Sequence, residues 1–119
     1  NIGVLLVNTS HSFTSTDEFV ANVSSNEISG TGYERKTLAN TSVSYDTGND
    51  KVVFDADDVS YATLDAGTIA SAIIFHEGAN DDVSVLIADV DFNDLLTNGS
   101  DVNLSINADG IFTVANDVT

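Results

Sequence analysis

Ser42-Val43-Ser44-Tyr45-Asp46 and Lys51-Val52-Val53-Phe54-Asp55 enclose the tetrapeptide Thr47-Gly48-Asn49-Asp50. Two β-branched and aromatic runs around four turn-forming residues are a hairpin signature, because Gly, Asn and Asp tolerate the backbone angles of a tight reversal. Along it Val43 and Tyr45 share a face, as do Val52 and Phe54, so the pattern predicts one apolar and one wet side. Similar short runs, each bounded by Gly, Asn, Asp or Ser, extend in both directions: Gly3–Val7, Tyr33–Leu38, Val59–Leu64, Thr68–His76, Val83–Phe92, Val102–Ile106 and Ile111–Ala115. Their spacing is that of sandwiches and barrels. The expectation is an all-β, sandwich or jelly-roll-like fold of about nine short strands, forming a single domain over residues 1–119.

One segment breaks the β pattern. In Asp17–Val23, Phe19, Val20 and Val23 stand at helical spacing behind Thr16 as a capping residue, so a short helix is expected near residues 17–23. Val102, Leu104 and Ile106 alternate with Asn103, Ser105 and Asn107, which describes a strand with one wet face, and Asp109-Gly110 turns the chain back into Ile111-Phe112. The alternation predicts a core of Val43, Val52, Phe54, Leu86, Val90, Leu104, Ile106 and Phe112. Ala72–Phe75 and Val83–Ile87 are apolar at every or nearly every position, as strands become when both faces are covered. A short helix can cover only part of that area. The remainder, with the N-terminal strand read as an edge, is expected to meet another subunit, through Ile2, Val4, Leu6, Val85 and Ile87. Asp89 and Asp91, two and four residues beyond Ile87, are expected where that face meets water.

Charge narrows the possible partners. The chain carries 19 acidic and 3 basic residues, a formal charge of −16. A nucleic-acid binder needs a basic face to displace counterions, and an anionic membrane surface repels so acidic a chain, so neither is an expected partner. With no Cys there is no thiol chemistry and no disulfide. Asp46, Asp50, Asp55, Asp57 and Asp58 have the composition of a calcium loop, but Lys51 stands where such a loop needs Gly, so they read as a solvated acidic turn and no metal or cofactor is implied. His11 and His76 are the only imidazoles, and there is no Gly-x-Ser-x-Gly elbow to pair with them, so the chain reads as non-catalytic. Ser29-Gly30-Thr31-Gly32 reads as a turn with positive φ rather than a phosphate loop.

Three blocks carry a family likeness: Asn26-Glu27-Ile28-Ser29-Gly30-Thr31-Gly32-Tyr33 with Lys36-Thr37-Leu38-Ala39, then Val52–Tyr61, then Leu86-Ile87-Ala88-Asp89-Val90-Asp91-Phe92. In these, and in Val43–Asp46, Ala72–Phe75 and Asn107–Ile111, the chain resembles small structural proteins from the head region of tailed bacteriophages. The family often has Trp near Tyr61 and Ile106 and a basic turn where this chain has Phe75-His76-Glu77-Gly78. The resemblance implies a virion protein on the capsid surface, a decoration or cement protein that clamps neighbouring major capsid subunits. A homo-oligomer is expected, with a homotrimer as first choice because such proteins sit on local symmetry axes. A receptor- or glycan-binding fibre or spike module, or a tail component, is the alternative.

Overall fold

The computed structural model describes residues 1–105 and the backbone of residues 112–115. The chain divides into two compact units, residues 1–37 with 60–102 and residues 38–59 with 103–119. Its strands are β1 (Ile2–Val7), β2 (Lys36–Thr37), β3 (Ser42–Asp46), β4 (Lys51–Asp55), β5 (Val59–Tyr61), β6 (Thr68–His76), β7 (Val85–Leu96), β8 (Val102–Leu104) and β9 (Phe112–Ala115). The fold is all-β, with antiparallel pairing in the orders β2-β1-β6-β7 and β3-β4-β9, and a two-stranded pair β5-β8.

In the first unit β1 lies inside the sheet, paired through Gly3 and Val4 with Thr37 and Lys36 of β2 on one side and along its whole length with β6 on the other. It is therefore not an edge strand. Leu5, Val7, Ile73 and Phe75 project to one side, where Val20 closes over them and Leu86 packs against the cluster. Val4 and Leu6 project to the other side and are also fully buried. Both sides of β1 and of Ala72–Phe75 are covered, as the unbroken apolar sequence anticipated for Ala72–Phe75 but not for β1, which was expected at an edge.

No α-helix forms at residues 17–23. Val20–Asn22 and Ser24–Asn26 are single 3-10 turns, and Phe19 stays extended (φ −122°, ψ 158°). The reason is competition for the backbone. Val20 N–H donates to Ser84 O at 2.9 Å, Ala21 N–H donates to Asp81 O at 3.1 Å, and Leu86 N–H donates to Glu18 O at 2.9 Å. Asn22 Oδ1 accepts from the N–H groups of Phe19 and Glu18. Residues 18–21 are thus held along residues 81–86, and β-branched Val20 and Val23 offer little helix propensity to resist this. Gly32 supplies the expected positive φ, +80°, and a Cβ there would lie 2.6 Å from the carbonyl oxygens of Ala62 and Thr63.

The second unit holds the hairpin. Its register is Val43 opposite Phe54 and Tyr45 opposite Val52, closed by Thr47–Asp50, with Asp50 in the left-handed region (φ +50°). The expected core position of this face is not realised. Val43 is 68% exposed, Tyr45 59% and Val52 40%, while Phe54, Leu86, Val90 and Leu104 are half-buried. Ile106, the Phe112 side chain and the Asp109-Gly110 turn lie outside the described residues. The core of the first unit is instead built from β1, β6, Val20, Val23, Ile28, Tyr61 and Leu64.

Candidate functional site

β7 gathers the exposed apolar surface of the first unit. Val85 and Ile87 on the strand, Val83 just before it, and Leu95 and Leu96 at its far end are all exposed. Of the five residues expected to face a partner, Val85 and Ile87 are therefore at the surface. Val4 and Leu6 are not, since the strand that carries them is interior, and Ile2 is half-buried at its start.

A cleft of about 130 Å³ opens beside Ile87, lined by Val23, Ile73, Leu86 and Ala88 together with His11, Phe13, Thr14, Asp17 and Asp89. Within this lining His11 Nε2 lies 2.8 Å from Asp89 Oδ2. The two residues are 78 positions apart, and their side chains are only 7% and 15% exposed. Asp89 Oδ1 is buried and has no hydrogen-bond partner among the described residues. The position of Asp89 corrects the expectation that it shares a face with Val85 and Ile87. Ile74 pairs with Ala88 but Phe75 with Leu86, so Ile87 is an extra residue, a β-bulge. Beyond the bulge the alternation is inverted. Asp89, opposite Ile73, thus comes to the same covered side as Leu86, opposite Phe75. His11 supplies the hydrogen bond that a buried carboxylate there requires. Phe13, on the same loop, is left 74% exposed at the rim.

No family model, curated protein or solved structure matches the chain. The chemistry of the surface therefore rests on its own side chains.

A second cluster fixes the flank of the same unit. Arg35 makes two bonds to Glu27, at 2.8 and 2.9 Å, and two to Asp81, at 2.7 and 3.0 Å. Its guanidinium also lies 5.9 Å from the centre of the Phe75 ring. The hydrogen bonds it donates to Glu27 and then to Asp81 stabilise its charged form and push its pKa up, while those same bonds hold the Asp81 carboxyl below the usual range. Tyr33 Oη donates to Glu27 and accepts from Leu6 N–H at 3.2 Å; burial, then that bond to Glu27, raises the phenol pKa. The only Arg of the chain thus ties residue 27, before β2, to the turn before β7. Being the only Arg in so acidic a chain was the available signal, and the sequence reading passed over it.

The remaining candidates serve local structure. Asp46 Oδ1 accepts from Gly48 N–H and Asn49 N–H, Asp50 accepts from Tyr45 Oη, and Asp57 Oδ2 accepts from Asn40 Nδ2. Among the described residues no group of three His, Cys, Asp or Glu side chains converges as metal ligands would. His76 is exposed at the end of β6. Among the described residues no helix is long and apolar enough to cross a membrane.

Proposed function

We propose that this protein is a non-catalytic structural subunit of a virus particle, a decoration or cement protein that clamps neighbouring major capsid subunits of a tailed phage head. The observation that carries the reading is the apolar stripe of Val83, Val85 and Ile87 beside the His11 cleft. A concave apolar spot next to exposed aliphatic side chains is the form that interface anchor points take, and contiguous exposed apolar surface marks contact sites. The resemblance of the sequence blocks to phage head proteins is what suggests the particle, and a charge of −16 would keep decorated particles apart in solution. Three copies seated about a local axis of the head present that stripe to the capsid together.

The test is binding to emptied phage heads. Val85→Asp and Ile87→Asp, made singly, leave the domain folded by circular dichroism and abolish decoration seen by electron microscopy. If both variants still decorate heads, the interface lies elsewhere, and a wild-type protein that never binds heads ends the cement reading.

A receptor- or glycan-binding module of a fibre or spike is favoured by one observation. Phe13 and Tyr45 are exposed aromatics, 74% and 59%, and sugars stack on such rings. Binding of the wild-type protein to host cells or glycans but not to heads selects this second reading.

A further inference from the structure

The unit that holds the hairpin has an edge, and that edge matches itself. β3 is the outermost strand of its sheet and pairs with β4 through five consecutive residues without a bulge. Among the described residues nothing pairs with its outer side, which there offers a row of backbone groups of the kind that recruits another strand. The devices that usually blunt such an edge, Pro, Lys or a bulge, are missing from Ser42–Asp46. One face of the strand carries Val43 and Tyr45, both well exposed, and the other carries Ser42, Ser44 and Asp46.

We propose that β3 is a self-association edge, pairing antiparallel with β3 of a second copy about a two-fold axis through Ser44. Of the possible two-fold registers this alone pairs all five residues of the strand. It sets Val43 opposite the second copy's Tyr45, a β-branched residue against an aromatic one, which is a favourable cross-strand pair. Ser42 falls opposite the second copy's Asp46, hydroxyl against carboxylate, and Ser44 falls opposite itself. No two carboxylates of the strand oppose each other, although the chain is so acidic. Each apolar residue meets an apolar one because the pairing keeps the alternation in phase. The two sheets then run on as one, with Val43, Tyr45 and Val52 of both copies forming a shared apolar stripe. The contact uses no residue of β7, so it stands or falls separately from the capsid reading.

A single-cysteine scan tests the register, since the chain has no Cys of its own. Residues directly opposite in antiparallel strands have Cα atoms about 4.5 to 5.5 Å apart, within the range a disulfide spans. Ser44→Cys should therefore cross-link into a covalent dimer under mild oxidation. Ser42→Cys, whose counterpart lies about four residues along the paired strand, should not. Sedimentation equilibrium of the wild type should show a monomer–dimer equilibrium that shifts towards dimer from 0.05 to 0.5 M NaCl, because the copies repel through −16 charges each. Val43→Asp, at a 68% exposed position, should keep the monomer folded and weaken the dimer at least tenfold. The proposal is overturned if Ser44→Cys cross-links no faster than Ser42→Cys, if the protein stays monomeric at millimolar concentration in high salt, or if Val43→Asp dimerises unchanged.

Discussion

Tyr61→Phe should stabilise the protein. Tyr61 is 0% exposed, and among the described residues its hydroxyl has no hydrogen-bond partner. The ring itself is well used: it stacks on Tyr33 with centroids 6.2 Å apart and planes 15° apart, and Lys36 Nζ lies 5.4 Å from its centre. The substitution keeps both ring contacts and removes only the hydroxyl. A buried hydroxyl without a partner forfeits about 1–3 kcal/mol of hydration, and the small void left by one oxygen costs only about 0.3 kcal/mol at roughly 24 cal/mol per Å³. The net expected gain is about 0.7–2.7 kcal/mol. At about 2.1 cal/mol/K of unfolding entropy per residue, a chain of 119 residues has roughly 0.25 kcal/mol/K, so Tm should rise by about 3–11 °C. Differential scanning calorimetry and urea titration of the two proteins measure it. An unchanged Tm, or a fall, means that the hydroxyl is hydrogen-bonded in solution and refutes the argument. The phenol pKa, raised chiefly by burial, gives an independent reading through ultraviolet titration of Tyr61 in the wild type.

Other outcomes follow from the same structure. Leu5→Ala, at a fully buried position inside the sheet, should cost about 3–5 kcal/mol, whereas Val43→Thr, at a 68% exposed position, should change stability by less than about 0.5 kcal/mol; urea midpoints decide both. The folded-state pKa of Asp81 is held below the unfolded value, so the stability this pair contributes is present above the ordinary carboxylate range and is lost as pH falls through the depressed pKa; acid titration of Asp81→Asn against wild type should show a shallower loss for the variant at the acid end. Thermal midpoints should climb between 10 mM and 1 M NaCl as 16 net negative charges are screened, and a flat profile sinks that account.

The hairpin and β6 were legible because local sequence decides them: turn chemistry between alternating runs, and an apolar run whose length is that of a strand. β6 spans the expected Thr68–His76. The lack of an α-helix at residues 17–23 was not legible, because the helical spacing of Phe19, Val20 and Val23 says nothing of the carbonyls of Ser84 and Asp81 that capture that backbone. The core assignment failed for a related reason. Alternation in Val43–Tyr45 and Val52–Phe54 reports that one face is apolar, and whether another layer covers it is a property of distant chain. The His11–Asp89 pair was hidden twice over, by a separation of 78 residues and by the bulge at Ile87, which reverses the apparent side of Asp89.

That extra residue also sets how this strand can change over generations. Losing or gaining one residue in an exposed surface loop alters only reach, and natural variation absorbs such events easily. Within a strand the same event turns every side chain beyond it to the other face. Deleting Ile87 is the exception, because it removes the bulge and leaves Leu86, Ala88 and Asp89 opposite Phe75, Ile74 and Ile73, on the sides they already occupy. The fold should therefore tolerate loss of Ile87 more readily than loss of a regularly paired neighbour such as Val90.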